Sequence, residues 1–188
     1  LSYGKRMDKD SINFITFGLQ SGFVQRNVDQ SKMTFDNQFD GDIYNASLGS
    51  GEQLSTTSFA YADVNAGMNW LYRKNKRMKF ITGISLFHLN RPKQSFFANN
   101  DVTLHRKFII HETANIRITE NVDIVPALQF GSQNTFKEVV VSLTAKYYLK
   151  AKNYNEAAAS AGIMYRANDA VILYTAFEFN TFSAGLSY

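Results

Sequence analysis

The sequence predicts an all-β fold, an antiparallel up-and-down transmembrane β-barrel, on three observations. Long segments alternate apolar and polar residues with a period of two, which is typical of strands with two different faces. Several of these segments are longer than the usual five or six residues of a soluble sheet. Short turns occur at every second connection, and two long loops fall among the others. Outer-membrane barrels combine short turns on one side with longer loops on the other in this way.

Composition is compatible with this fold and excludes several others. The chain has 188 residues and no Cys, so neither disulfides nor thiolate metal sites hold it together. No segment approaches the roughly eighteen consecutive apolar residues of a transmembrane helix. The mean hydropathy of −0.25 does not distinguish a soluble β-protein from a membrane barrel, because polar lumen positions dilute the lipid-facing ones. The alternation pattern therefore has to distinguish a membrane barrel from a soluble β-protein.

The N-terminal part predicts two strands and a long loop. Residues 1–7 read as the end of a strand, residues 8–11 as a tight polar turn, and residues 12–27 as a long strand. Residues 28–58 are rich in Asp, Asn, Gln, Ser and Gly and far exceed the usual loop length. We therefore expect this loop to have a function of its own.

The next segment, residues 59–73, is the most informative. Its apolar positions are Ala60, Ala62, Val64, Ala66, Met68, Trp70 and Tyr72. They alternate with Tyr61, Asp63, Asn65, Gly67 and Asn69. A side that carries an acid and two amides cannot face a dry core without many partners, and aromatic residues beside a basic turn suit a membrane–water interface. We expect the apolar side to face lipid and Asp63, Asn65 and Asn69 to face the lumen; an outer strand of a soluble sheet is the alternative.

Three further strands and a second long loop are predicted in the middle of the chain. Residues 78–89 form a strand whose two faces are both apolar, and residues 90–104 form the loop. The strands over 106–119 and 124–131 are joined by a short turn. Glu112 interrupts the apolar side of the first of these, and a bulge could re-aim it. Pro126 lies inside the second, which predicts a bulge or an unpaired edge.

The C-terminal part predicts a four-stranded meander. Apolar residues at odd positions oppose polar residues in 138–150, and 157–166 repeats the pattern. Short turns near 168–169 and 180–181 lead into two more strands. The first and last residues of the chain both read as parts of strands. We therefore expect 1–188 to be a single outer-membrane β-barrel domain, an internal portion whose N- and C-terminal strands are missing.

Several segments resemble the PorP/SprF family, outer-membrane proteins of the type IX secretion system and its associated gliding apparatus. They are FGLQSGFVQRNVDQSKMTFDNQFD (17–40), GISLFHLNRPKQSF (83–96), HRKFIIHETANIRI (105–118), YRANDAVILYTAFEF (165–179) and FSAGLSY (182–188). The resemblance implies a non-enzymatic barrel in the outer membrane of a Gram-negative bacterium, which helps cargo such as large adhesins to be secreted or to stay on the cell surface. It also implies three partners: membrane lipid, the secreted cargo, and the periplasmic lipoprotein or ring components of the machinery.

The two long loops supply the candidate cargo contacts. Their apolar content is too high for a disordered linker, and the residues concerned are Phe35, Phe39, Tyr44, Leu48, Phe96 and Phe97. From the parity of loop lengths we expect these loops on the cell surface. The alternative is that these side chains only pack the loops over the barrel mouth.

A basic turn is expected on the periplasmic side. Its residues are Arg73, Lys74, Lys76 and Arg77. It could meet an acidic partner or lipid phosphates, and a solvated turn is the alternative. The Asp-rich stretch 36–47 departs from a calcium loop at Gln38 and Ser47, so no metal is expected there.

No enzyme, cofactor or nucleic-acid partner is expected. The three histidines are separated in sequence, and neither a metal-ligand spacing nor a nucleophile motif occurs. The basic residues form no stripe with interleaved aromatics. Besides a secretion or anchoring barrel, a passive or substrate-specific porin and a soluble lectin-like sandwich remain open.

Overall fold

The computed structural model describes residues 1–9, 12–52, 55–75, 77–97, 102–151 and 154–188, and the backbone alone of 150, 151 and 154–156. The strands are β1 (Ser2–Arg6), β2 (Asn13–Asn27), β3 (Phe39–Asp40), β4 (Ile43–Tyr44), β5 (Ser58–Asn75), β6 (Met78–Phe87), β7 (Lys107–Arg117), β8 (Val122–Gln133), β9 (Phe136–Ala151), β10 (Tyr154–Arg166), β11 (Ala170–Phe179) and β12 (Phe182–Ser187).

Ten of these strands form one sheet in which spatial order follows chain order, β1-β2-β5-β6-β7-β8-β9-β10-β11-β12, and β3 pairs with β4 separately. β1 pairs antiparallel with β2. Each pair of consecutive strands from β5 to β12 is also antiparallel. The predicted all-β, up-and-down antiparallel architecture is confirmed. Within the described residues β1 and β12 do not pair, so the sheet is not closed there, as in part of a barrel wall. In the same residues, no helix is long and apolar enough to cross a membrane.

By contacts the chain divides into two compact units. One comprises Leu1–Gln20, Asn65–Phe87 and Arg106–Tyr188 and holds most of the sheet. The other comprises Ser21–Val64 and His88–His105 and contains the two long connections.

One face of the sheet is apolar from β5 to β12. Directly opposed residues share a face, so the register defines it. One cross-strand row is Met68, Ile84, Ile110, Phe130 and Val139. A second is Pro126, Leu143, Ile163 and Leu173. Leu143, Ile163 and Leu173 are 51%, 47% and 58% exposed, and a continuous face of large exposed apolar side chains is the property that lipid contact requires.

The opposite face is polar and carries ion pairs between strands. Lys146 on β9 lies 2.6 Å from Glu178 on β11, across the intervening strand. Asn69 on β5 belongs to this face, and Ala66 and Met68 to the other, as predicted. Charged side chains facing one another over a sheet are typical of the water-facing interior of a membrane barrel.

Glycines on the polar face make room for large neighbours. The ring of Tyr174 on β11 lies over Gly162 of β10, where a Cβ would collide with it. The Tyr174 hydroxyl hydrogen-bonds across this glycine to the hydroxyl of Thr144 on β9. Gly162 therefore allows a bond between two strands that are not adjacent.

The register also assigns the two faces of β6, which the sequence did not distinguish. On β6, Phe80, Ile84 and Leu86 oppose Ala114, Ile110 and Phe108, which places them on the apolar face. Ile81 opposes Thr113 and lies on the polar face. The second apolar set of β6 is thus on the polar side of the sheet.

Neither Glu112 nor Pro126 lies at a bulge, and of the bulge or unpaired edge expected at Pro126 only a local loss of pairing with β7 is present. β7 keeps one register with β6 from Met78–Ile116 to Phe87–Lys107, so Glu112 stays on the apolar face, exposed and opposite Thr82 and Leu128. β8 is paired on both sides. Pro126 opposes Leu143 without a shift, and only the ladder with β7 is interrupted beside it.

Candidate functional site

The loop between β2 and β5 is held in shape by its own hydrogen bonds. Gln38 is their centre. Its side-chain oxygen accepts from the Phe35 N–H at 3.0 Å, and its amide donates to the Leu48 carbonyl at 3.3 Å. Its own carbonyl accepts from the Asn45 N–H at 2.7 Å. Three parts of the loop are therefore tied to one residue, which is the opposite of a disordered linker.

A small hairpin in this loop presents two aromatic rings. Phe39 on β3 opposes Tyr44 on β4, and the ring centroids are 5.7 Å apart in an edge-on arrangement. Gly41 has a φ of +69° in the connecting turn, a conformation that favours glycine. Phe39 and Tyr44 are 45% and 44% exposed, Leu48 is 38% exposed, and Phe35 is half-buried. Three of the four candidate residues of this loop thus present apolar surface to solvent.

The start of the same loop carries an anchored acidic side chain. Asp29 caps a 3-10 turn: its Oδ1 accepts from the Ser31 hydroxyl at 2.6 Å and from the Ser31 N–H at 3.1 Å. The Ser31 hydroxyl is the largest influence that lowers the pKa of Asp29, and Lys32, 3.6 Å away, acts in the same direction. Asp29 therefore remains ionised down to a lower pH than an ordinary aspartate.

The second long loop separates the two phenylalanines that the sequence grouped together. The ring of Phe96 packs edge-on against Phe59, with centroids 4.7 Å apart. The Phe96 carbonyl also accepts hydrogen bonds from the N–H groups of Ser55 and Thr56, at 3.0 and 3.1 Å. Phe97 is 50% exposed. Phe96 therefore holds the two long connections together, and Phe97 is the free ring.

A histidine that the sequence left isolated has a partner in the structure. His88 Nδ1 lies 2.9 Å from Asp63 Oδ1, and both side chains are largely buried. Beside them Asn90 donates to the Ala62 carbonyl at 2.7 Å and accepts from the Val64 N–H at 3.2 Å. The polar atoms of Asp63, expected to face a water-filled lumen, are thus used to anchor the start of the second loop.

The basic turn between β5 and β6 keeps its cations in solvent. Arg73, Lys74 and Arg77 are exposed, and Lys76 lies outside the described residues. The side-chain oxygen of Asn75 accepts from the N–H groups of Arg77 and Met78, at 2.8 and 2.9 Å. Asn75 holds the backbone at Arg77 and Met78, and the side chains of Arg73, Lys74 and Arg77 are available to a ligand.

A buried carboxylate lies nearby on the polar face. Asp123 is 1% exposed; its Oδ1 lies 3.0 Å from Arg117 Nε, and its Oδ2 accepts from the Tyr148 hydroxyl at 2.9 Å. The Arg117 guanidinium also lies 5.3 Å from the centre of the Tyr148 ring. Both carboxylate oxygens are therefore occupied, which satisfies a buried charge that would otherwise be costly.

The comparison with protein families identifies the family to which this chain belongs. The family described as type IX secretion system membrane protein PorP/SprF matches residues 1–188, the entire chain. The chain belongs to the PorP/SprF family. It is therefore a membrane component of the type IX secretion system, one that interacts with other components of that machinery, and its all-β fold indicates the outer membrane. No curated protein matches the chain, and no solved structure does.

The PorP/SprF match includes both long loops and the basic turn, so every candidate residue belongs to the family region. The family is one of secretion-system membrane proteins, and its description names no chemical reaction. Among the residues that the structure describes, no three His, Cys, Asp or Glu side chains come together as a metal site.

Proposed function

We propose that this PorP/SprF chain is a non-enzymatic component of a Gram-negative outer membrane that assists the secretion or surface attachment of cargo such as large adhesins. One observation carries the proposal. The loop between β2 and β5 is folded around Gln38, yet it leaves Phe39 and Tyr44 exposed. Ordering a long loop has an entropic cost, and an ordered loop with exposed aromatic side chains is suited to binding another protein.

The chemistry around these rings supports a protein partner. Ile43, next to Tyr44 in the hairpin, is 73% exposed, and the same stretch carries the exposed polar residues Asp36, Asp40 and Asp42. An aromatic centre with a polar rim is the usual composition of a protein-binding surface. Phe97 adds a further exposed ring on the second loop. In this proposal the long loops lie on the cell surface, because long connections of outer-membrane barrels face outward.

The remaining surfaces are assigned to the other partners. The apolar face of the sheet contacts membrane lipid. The turn that carries Arg73, Lys74, Lys76 and Arg77 lies in the periplasm, where it meets a lipoprotein or ring component of the machinery. Exposed cations on a turn of fixed backbone support this assignment, because they attract an acidic protein surface without a large ordering cost.

The test uses the full-length protein in its native cell. Phe39→Ala with Tyr44→Ala removes both rings, and Met33→Ala removes an equally exposed apolar side chain of the same loop as a control (44% exposed). We expect cargo at the cell surface, measured by antibody labelling of intact cells, to fall with the double variant only. Barrel abundance, followed by its heat-modifiable mobility, should not change. Normal cargo display by the double variant would contradict the proposal.

A substrate-specific or passive porin is the second candidate, and the polar face favours it. The pairs Lys146–Glu178 and Arg117–Asp123 suit the wall of a water-filled channel. If the first loop were the plug of a channel, deletion of residues 36–50 would raise the conductance of the protein in planar bilayers and leave cargo display intact. Under the anchoring proposal the same deletion lowers cargo display and leaves conductance unchanged.

A further inference from the structure

Most charges on the polar face of β7 to β11 are matched across strands. Arg117 pairs with Asp123 at 3.0 Å, Lys146 with Glu178 at 2.6 Å, and Arg166 lies 3.9 Å from Glu138. Because both partners of each pair come from the sheet itself, these charges need no external ligand.

At the end of the sheet near the β5–β6 turn, the charges are not paired between strands in this way. A cleft of 440 Å³ opens there, and its lining residues are Arg73, Asn75, Arg77, Met78, Lys79, Asn115, Arg117, Asp123 and Tyr148. Four of these residues are cationic and one is anionic. Asp123 is fully occupied by Arg117 and Tyr148. In the part of the chain that the structure describes, no carboxylate lies within ion-pair distance of Arg73, Arg77 or Lys79.

The register places two of these positive charges directly opposite one another. Arg73 on β5 is directly opposite Lys79 on β6, and Lys79 is opposite Asn115 on β7, so the three share the polar face. Like charges directly opposite one another destabilise a sheet. A bulge follows Arg73, where the pairing shifts before Asn75, and bulges commonly re-aim a side chain near a binding site. A bound anion would attract both Arg73 and Lys79 and so offset the repulsion between them.

We propose that this cleft binds a carboxylate-bearing segment of a protein partner. The guanidinium groups of Arg73 and Arg77 offer forked donors that match carboxylates in pairs, and the ammonium group of Lys79 adds a third cation. A lipid headgroup does not fit this position, because lipid meets the apolar face, whereas Arg73 and Lys79 belong to the polar one. The partner would be an acidic component of the secretion machinery, and in that respect the inference rests on the proposed function.

The test measures binding of a fluorescent hexaglutamate peptide to the purified full-length protein in detergent, with hexaglutamine as the uncharged comparison. We expect hexaglutamate alone to bind, and more weakly as salt rises. Arg73→Gln with Lys79→Gln should weaken binding at least about tenfold, since two charge-assisted contacts are lost. Lys107→Gln with Lys137→Gln removes the same charge at the opposite end of the strands and should leave affinity nearly unchanged. Arg77→Gln, on the exposed turn outside the strand pairing, should weaken binding without affecting folding.

Three results would overturn the inference. The first is the absence of hexaglutamate binding. The second is equal weakening by the two double variants, which would indicate attraction by overall charge. The third is displacement of the peptide by inorganic phosphate at equal concentration, which would indicate a small-anion site. Each of these leaves cargo display by the Phe39 and Tyr44 variant untouched, so this inference and the proposed function can fail separately.

Discussion

Replacing Leu143 by arginine tests which face of the sheet contacts lipid. Leu143 lies at the middle of β9, is 51% exposed, and has Pro126 and Ile163 as its cross-strand neighbours on the apolar face. An arginine at the bilayer midplane of a barrel costs about 2–4 kcal/mol. That corresponds to a decrease of roughly thirty-fold to seven-hundred-fold in the folding equilibrium constant.

Two matched variants separate this effect from a general effect of arginine. Ser142 is next to Leu143 but on the polar face, opposite Met164 and Ala127, so Ser142→Arg should cost little. Val139 is on the apolar face, four residues nearer the end of the strand. With about 3.3 Å of rise per residue and a tilt of about 40°, this places Val139 about 10 Å from the midplane, near the edge of an apolar band about 25 Å tall. Val139→Arg should therefore cost only about 0–1 kcal/mol.

The measurement is the free energy of unfolding in denaturant, for the full-length protein folded into phospholipid bilayers. We expect the loss of stability to rank Leu143→Arg far above Val139→Arg and Ser142→Arg. Equal destabilisation by the Leu143 and Ser142 variants would show that the two faces do not differ in environment. Equal destabilisation by the Leu143 and Val139 variants would show that depth in the membrane does not control the cost.

Two further predictions concern the apolar face and the topology. Glu112→Leu should raise the free energy of unfolding in bilayers, by up to about 2 kcal/mol, because an exposed carboxylate at the centre of the apolar face of β7 is costly in lipid; a loss of stability would show that Glu112 has a partner there. Ser50→Cys should react with a membrane-impermeant maleimide on intact cells and Asn75→Cys should not, because we place the long loop outside and the basic turn in the periplasm. The reverse labelling pattern would invert the topology.

The sequence predicted the C-terminal strands well because period and turns agree there. In β9 and β12 one set of alternate positions is much more apolar than the other, and a slip of one residue would move the apolar set to the opposite face. Short turns then fix the register, so Leu143, Ile163 and Leu173 come to lie in one row. β6 was not predictable in this way, because both of its alternate sets are apolar and only its neighbours β5 and β7 assign them.

The candidate site was predictable as a region and less so in its details. Length and apolar content identified the first loop, but Phe96 and Phe97 are adjacent and identical in type, and only the contact with Phe59 distinguishes them. Arg117 and Asp123 flank a short turn, so their pairing could have been found by folding the two strands back on each other. The pairing of His88 with Asp63 joins residues 25 positions apart, and no local pattern indicates it.

Glu112 and Pro126 show why local exceptions were misjudged. Glu112 puts a charge on the apolar face of its strand, and Pro126 lacks an N–H inside its strand. A bulge would accommodate either residue if the strand were considered alone. A strand inside a sheet, however, is held by two ladders, and a shift of register would move every apolar side chain beyond it to the wrong face. Pro126 lacks one N–H, so it can remove a hydrogen bond from only one of the two ladders. The interruption is on the β7 side, between the pairs Thr113–Ala127 and Ile116–Ile124, while the ladder with β9 continues unbroken. One missing hydrogen bond beside Pro126 and one carboxylate on the apolar face at Glu112 therefore cost less than a register shift, which would disrupt the alternation of apolar and polar residues.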